Sequence, residues 1–512
     1  MKKMRLIGLL ALGISMMSVK TYAQAPGSLD LTFGGTGYFT TAISAYNNGG
    51  RSVAIQPDGK IVAAGYANNG SNDDFAVVRY NTNGTLDQSF GTNGMVTSDI
   101  GNTGDYALAV LVLGNGKILI GGYSALGLNE DFAMARYNSN GTLDATFGVN
   151  GFVTDAIGNA KDEIWALGVQ SDGKIMAGGV TYSGNNPSYA LARYSDQGVL
   201  DLSYAVSGFA VLSMGGTTNM SCTILVQPDN KTIISGYTGG FGSLMFGLAR
   251  YDATGVLDNT FGTGGKTKVA ASALTYNYAF TSALNPDGSF VVAGTANSGG
   301  SASSFVMAKF TKTGALDNTF GTGGKVMTSF GNGYAAAQAI AIQPDGKIIL
   351  AGYVTTTNAE DFAVVRYNAN GSIDGTFGTS GKVVTAFGSK SDYGFSVAVQ
   401  SDGKIVVAGI SNDGTNNNLA MVRYNGNIGT GFHEYAHSED MQIYPNPVAD
   451  RMFFVSKTKM SLEVINTNGQ SMMIQQMAEG QNAIDVSGLP AGMYFIKAQS
   501  EQELITKRFI KM

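Results

Sequence analysis

Seven copies of one short unit, four strand-like runs per copy, and a composition of turns rather than helices predict an all-β protein. The architecture they point to is a seven-bladed β-propeller, four antiparallel strands per blade, followed by a small C-terminal β-sandwich. The unit recurs about every 57 residues. Its "LDxTFG" element begins at Leu29, Leu86, Leu143, Leu200, Leu257, Leu316 and Ile373. Its "QPDGK" element begins at Gln56, Leu113, Gln170, Gln227, Asn285, Gln343 and Gln400, and its "RY" element at Arg79, Arg136, Arg193, Arg250, Lys309, Arg366 and Arg423. Of 512 residues 71 are glycine, 44% of the chain is apolar and only 13% is charged, which suits short strands joined by tight turns.

Each strand can be justified in order. In the first copy the runs are "GYFTT", "SVAIQ", "KIVAAGY" and "FAVVRYN", rich in β-branched and aromatic residues and bounded by turn residues. Between the second and third runs, Pro57-Asp58-Gly59 fits a tight turn: proline presets φ and glycine accepts left-handed backbone. The fourth copy has Asn230 in place of that glycine, the next-best left-handed residue, so the demand is one of turn geometry. Gly84 closes the similar turn "NTNG". By analogy with other propellers, "SVAIQ" is innermost, "KIVAAGY" second, "FAVVRYN" third and the "LDxTFG" strand outermost. Small residues stand four before each Gln position (Ser52, Ala109, Ala166, Thr223, Thr281, Ala339, Ser396), as strands crowded about an axis require.

The copies are out of phase with the chain ends. An outermost strand, from Leu29 to about Ala42, comes first with no inner strands before it, and three inner strands, about 395–425, come last with no outermost strand after them. Together they make the seventh blade, so the N-terminal strand is expected to pair with "LAMVRYN" (419–425) and close the ring. An open arrangement would expose edge strands that invite aggregation. A linear solenoid would need caps that neither end supplies. The fourth copy reads "LDLSYAVSG", without the Phe-Gly pair, which predicts looser packing there.

The ends carry addresses. "MKKMR", an apolar run and "TYA" read as a signal peptide, residues 1–23, cleaved after Ala23. No other segment is expected to cross a membrane. Residues 24–426 are assigned to the propeller, 427–439 to a linker and 440–512 to the second β module. Net charge is -5 and no basic cluster occurs beyond the extreme N-terminus, so no nucleic-acid partner is expected. Cys222, the single cysteine, has no partner for an internal disulfide.

The recurring "QPDGKI", "FAVVRYN" and "LDxTFGxxG" over 29–425 resemble the delta-60 repeat family of β-propellers. That resemblance implies the fold and an extracellular setting, and it brings no catalytic residue with it. Residues 440–512 resemble the C-terminal sorting domain of the type IX secretion system, through Tyr444-Pro445-Asn446-Pro447, Asn468-Gly469, Leu489, Gly492-Met493-Tyr494-Phe495 and the basic end Lys507-Arg508. It implies type IX machinery as a partner, and release from the cell or attachment to its outer surface. The protein is expected to be a monomer.

Candidate chemistry is sparse. His433, Glu434 and His437 match H-E-x-x-H, but no helix pattern surrounds them and they fall in the linker, so the match is read as spurious and no metal is assigned. The Arg/Lys of "RY" and the Asp of "LD" (Asp30, Asp87, Asp144, Asp201, Asp258, Asp317, Asp374) recur seven times, which marks them as structural; surface pairs would contribute about 0–1 kcal/mol each. A ring of Asn48, Asp105, Asp162, Asn219, Asn277, Ala335 and Asp392 precedes the innermost strands, near the expected channel mouth. It suits either turn capping, which the incomplete ring favours, or a structural cation held through oxygen. No cofactor is otherwise expected.

Function is expected where the repeats differ. Loops before the innermost strand and after the second strand share one face, carrying Trp165, Tyr46, Tyr276, Tyr278 and Tyr393 beside Asp105, Asp162 and Asp392. Aromatics beside amides and acids suit a glycan or protein ligand. The expectation is a non-catalytic binding or scaffold module. The alternative is a polysaccharide-active enzyme using Asp105, Asp162, Glu163 or Asp392 as paired carboxyls.

Overall fold

The computed structural model describes residues 24–125, 129–240, 242–356 and 359–426, and in the tail 443–444, 448–456, 459–466, 471–490, 492–499 and 504–511. The signal peptide and the His433–His437 motif lie outside them. No helix occurs among the described residues, and so none is long and apolar enough to cross a membrane.

The repeats form seven blades. In blade 1 the strands Asn48–Ile55, Ile61–Asn68, Asp73–Tyr80 and Met95–Ser98 pair in that order from the innermost outward. The other innermost strands are Asp105–Val112, Asp162–Val169, Thr218–Val226, Tyr276–Leu284, Ala335–Ile342 and Asp392–Val399. Blade 7 closes as expected. Tyr38–Thr41 lies antiparallel to Asn417–Tyr424, with Tyr38 opposite Val422 and Thr41 opposite Leu419. Upstream, Asp30 N–H donates to Arg423 O (2.9 Å) and Gly27 N–H to Asn425 O (2.7 Å).

The core lies between blades. Ile61, Ala63 and Val78 of blade 1 pack on Val406, Ala408, Leu419 and Met421 of blade 7, and Val62, Ala64 and Val77 pack on Ile118, Ile120 and Ala133 of blade 2. The second and third strands are therefore covered on both faces. That is why they read as unbroken apolar runs instead of alternating.

Each innermost strand contains a β-bulge immediately before its small residue, leaving Arg51, Leu108, Trp165, Cys222, Phe280, Gln338 and Phe395 unpaired. The bulge pushes a carbonyl toward the second strand, where the glycine of "AGY" stands. A Cβ at Gly65, Gly122 or Gly352 would collide with the carbonyl of Gly49, Tyr106 or Ala336. The small residues themselves link blades: Ser52 Oγ accepts the N–H of Val110 (3.1 Å) and Ser396 Oγ that of Val53 (3.0 Å).

The six arginines of "RY" are buried and link each blade to the next through their "LD" aspartates and a neighbouring carbonyl, which corrects the expectation of surface pairs; Lys309 and Asp317 in the fifth copy stay half-buried. Arg79 Nε donates to Asp87 Oδ2 (2.7 Å), both side chains are buried, and the guanidinium stacks 4.5 Å from the Phe90 ring centre. A second guanidinium nitrogen donates to Ser139 O in the next blade. Arg423 repeats the arrangement across the closure, with Asp30 (2.8 Å) and with Thr82 O of blade 1. In Asp87 and Asp144 burial pushes the carboxyl up, but hydrogen bonds from Ser89 or Thr146 and from nearby cations outweigh it and hold both well below the usual carboxylate range. The odd fourth copy is not loose: Tyr204 is fully buried beneath Arg193 (4.7 Å), and Ala205 adopts the left-handed φ of 47° that glycine takes elsewhere. The predicted turn residues behave as expected, with φ of 83° at Gly59 and 63° at Asn230.

In the tail, a three-stranded sheet (Ile443–Tyr444, Arg451–Ser456, Gly480–Asp485) and a four-stranded sheet (Ser471–Met477, Met460–Asn466, Gly492–Gln499, Leu504–Lys511) share a core of Met452, Phe454, Leu462, Ile484, Ile496 and Phe509.

Candidate functional site

The bulges and the strand ends beside them gather aromatic side chains about the axis. Tyr66, Tyr106 and Tyr123 follow one another with ring centres 5.1 Å apart. Blades 4 and 5 contribute Tyr237 and Tyr278 (5.1 Å) with Phe280 beside them, and blades 6 and 7 contribute Tyr353 and Tyr393 (4.9 Å) with Phe395. Most are half-buried, the state of a side chain lining an open mouth. Burial pushes the hydroxyls of Tyr106, Tyr123, Tyr237 and Tyr353 up, so they stay protonated donors.

Arg51 extends among them. Its guanidinium lies 4.2 Å from the centre of the Phe395 ring, and its Nε is buried with no acceptor. Burial draws its pKa down, while Tyr66, Tyr123, Tyr106 and Tyr353 are near enough to act on its charge in the opposite sense.

Acids at the start of the third strands partner the innermost strand of the following blade. Tyr106 donates to Asp73, and Tyr393 donates to Glu360 (3.2 Å). At the junction of blades 2 and 3, Glu163 stands where these tyrosines stand, facing Glu130. Glu130 Oε1 pairs with Lys161 (2.6 Å), while its Oε2 is buried without a donor. Trp165 Nε1–H donates to Glu163 Oε2 (2.9 Å). Burial, and then the neighbouring Glu130, push the Glu163 carboxyl up. When protonated, Glu163 can offer Glu130 the donor that a tyrosine hydroxyl supplies elsewhere. Cys222, on the next bulge, is an unreactive thiol, pushed up to about 12 by burial.

The predicted acidic ring sits elsewhere. Asp105, Asp162 and Asp392 are fully buried and do not face the mouth. Each caps the preceding loop through Oδ2, accepting the N–H of Ile100 (2.6 Å), Ile157 (2.7 Å) or Phe387 (2.8 Å). Asn48 and Asn219 cap in the same way, accepting from Ser44 N (2.9 Å) and Met214 N (3.1 Å). Alternation along a strand explains this: the ring residue and the next one face opposite sides. The turn-capping reading of the ring therefore describes its hydrogen bonds, and Asp105, Asp162 and Asp392 are too enclosed to meet a ligand at the mouth.

Of the predicted aromatics, Trp165, Tyr278 and Tyr393 lie on innermost strands at the mouth, Tyr276 begins the strand that carries Tyr278, and Tyr46 is an exposed loop residue beside Gly70. Sequence reasoning missed Arg51, Phe280 and Phe395. Their signal was present: the residue before each small one on the innermost strand is Arg, Leu, Trp, Cys, Phe, Gln or Phe, and nothing about blade packing unites that set.

Seven stretches, 56–90, 113–147, 170–204, 227–261, 285–320, 343–377 and 400–427, match the family model described as a domain of unknown function (DUF5122) beta-propeller. Residues 442–512 match that of the secretion system C-terminal sorting domain. No curated protein matches the chain. Solved structures similar to it include the polysaccharide lyase Uly1, 12% identical over 76% of this chain and 91% of that one, with a TM-score of 0.44. Sqt1 from Chaetomium thermophilum is 13% identical over 79% and 100%, with a TM-score of 0.40. A GH43_1 enzyme from Xanthomonas citri is 9% identical over 50% and 86%, with a TM-score of 0.27. Likeness at this level carries no argument about activity. The chain belongs to the DUF5122 β-propeller family, with seven of its repeats, and ends in a type IX sorting domain that marks it for export to the cell surface or beyond.

Proposed function

We propose that the propeller is an exported, non-catalytic recognition module whose axial mouth binds a glycan. The observation that carries this reading is the ring of half-buried aromatics around Arg51, whose Nε has no acceptor of its own. Aromatic faces stack on the apolar C–H faces of a sugar, and tyrosine hydroxyls and a guanidinium meet its oxygens.

The enzymatic reading draws support from Glu163, because a carboxyl pushed up to about 7 is what a general acid requires. A glycosidase also needs its two carboxyls about 5–10 Å apart, with the bond to be cleaved between them. Glu163 and Glu130 instead lie side by side, where other junctions hold a hydroxyl–carboxylate contact. Two open depressions on the surface, one lined by Phe330, Asn332 and Thr356, the other by Leu113, Lys117 and Asp196, carry no carboxyl pair.

The test is a glycan array followed by calorimetry on the mature protein. The wild type is expected to bind a polysaccharide class, Trp165→Ala and Tyr278→Ala to weaken it at least about tenfold, and Glu163→Gln to retain it. Release of new chain ends by the wild type, abolished in Glu163→Gln, would establish the enzyme instead. Binding confined to proteins would move the ligand to the other class.

A further inference from the structure

Three carboxylates converge at the junction of blades 1 and 2, away from the axial mouth. Asp74 ends up on the third strand of blade 1, Asp105 opens the innermost strand of blade 2, and Asp99 lies in the loop between them. One oxygen from each lies within 4.8 Å of the others. Asp74 and Asp105 are buried and Asp99 is exposed. Lys60, Arg79, Lys117 and Arg136 stand at the other ends of these strands, paired with Asp87 and Asp144.

Asp105 adds an independent observation. Its side chain is 0% exposed, and although Oδ2 accepts from Ile100, Oδ1 is buried with no hydrogen-bond partner, as is Oδ1 of Asp162 and Asp392 at the two other junctions with paired acids. The Ser124 hydroxyl beside it is turned to Ile100 O (3.2 Å). In blade 1, Asn48 stands at this position and spends its amide N–H groups on a backbone carbonyl, Tyr46 O, at 2.7 Å. An aspartate there puts an oxygen where the fold otherwise places a donor. What the position lacks is positive charge.

The repeats sharpen the point. Position 74 and position 105 are acidic together at three junctions: Asp74 with Asp105, Asp131 with Asp162, and Asp361 with Asp392. At the other four junctions neither is acidic. Only the first junction adds a third acid, since Ala156 and Ala386 occupy the place of Asp99.

We propose that Asp74, Asp99 and Asp105 bind one calcium ion, which ties the loop at 99–105 to both blades. Calcium takes oxygen ligands at about 2.4 Å, so two oxygens on one ion stand at most about 4.8 Å apart, and the cluster fits that limit. Three carboxylates with no lysine or arginine to offset them suit a hard divalent cation, and magnesium, which keeps its water, suits such a cage less well.

The experiment titrates calcium chloride into chelator-treated mature protein by calorimetry, with melting curves in about 5 mM calcium or in chelator. One ion per chain and a higher Tm with calcium are expected, and magnesium should bind more weakly. Asp99→Asn alters an exposed residue, and Asp105→Asn reproduces a residue native to blades 1, 4 and 5, so both variants should fold. Each should weaken binding at least about tenfold and lose the calcium-dependent Tm shift. Absence of binding heat with identical curves in calcium and chelator would overturn the proposal. So would binding unchanged in both variants, or a wild type whose stability follows pH between 5 and 7 and ignores calcium, the behaviour of acids that only share protons.

Discussion

Asp30→Ala tests how the ring is closed. Asp30 accepts from Thr32 N (3.1 Å) and Thr32 Oγ1 (2.7 Å), pairs with Arg423 at 2.8 Å and with Lys404 at 3.4 Å, and is buried. The substitution leaves the Arg423 guanidinium enclosed with only Thr82 O, Gln400 and Thr32 as acceptors. Removing one partner of a buried pair costs about 3–5 kcal/mol. Asp402 is the contrasting case: it pairs with Lys404 at 3.1 Å but its side chain is 52% exposed, so Asp402→Ala should cost about 0–1 kcal/mol. Asp144→Ala breaks the same kind of link inside the ring and should resemble Asp30→Ala in energy. Only Asp30→Ala should also free the first strand, because every other blade is joined to its outermost strand by continuous chain. Urea unfolding of the mature protein reads the cost, and limited proteolysis reads cleavage within residues 24–42. Equal unfolding midpoints for Asp30→Ala and Asp402→Ala would refute the reasoning. So would a strand equally protected in wild type and variant.

Other outcomes follow from the same structure. Gly122→Ala should destabilise blade 2 by about 1–3 kcal/mol or more, since its Cβ would strike the Tyr106 carbonyl, whereas Gly114→Ala, with open space around it, should leave the urea midpoint unchanged. The depressed aspartates of the "LD" ring contribute stability that is complete above their unfolded pKa and lost as pH falls through the folded value, so melting curves should drop steeply below about pH 4. Glu163 has the opposite sign: its folded pKa is raised to about 7, so stability is lost as pH rises from its unfolded value through 7. Glu163→Gln should therefore melt higher than wild type at pH 8 and level with it at pH 5; a constant difference at both would count against a protonated Glu163.

Repetition made the architecture legible. Seven degenerate copies average out local ambiguity, and the mismatch of phase between Leu29 and Tyr424 located the closure before any coordinates were needed. The sorting tail was legible because its turns and aromatic strand sit at fixed spacing. The energetic role of Arg79 was not, because burial depends on the Phe90 ring beneath it and on Ser139 in the neighbouring blade, and neither relation is local in sequence. The site was legible in part. Trp165, Tyr278 and Tyr393 were found as aromatics at divergent positions, but Asp105 was placed on the wrong side because strand alternation had not been anchored to a face. Arg51 and Phe395 escaped because a bulge interrupts the period-two pattern that would have located them.

The bulges separate what must stay constant from what is free to vary. Opposite each one, a glycine fixes the backbone path, while the extruded residue takes no part in strand pairing or in the Arg–Asp links. Arginine, tryptophan and phenylalanine are all accommodated at that one position within a single chain. Seven such places around one axis amount to a natural combinatorial surface. A library randomised at residues 51, 108, 165, 222, 280, 338 and 395 should keep the scaffold and change its ligand.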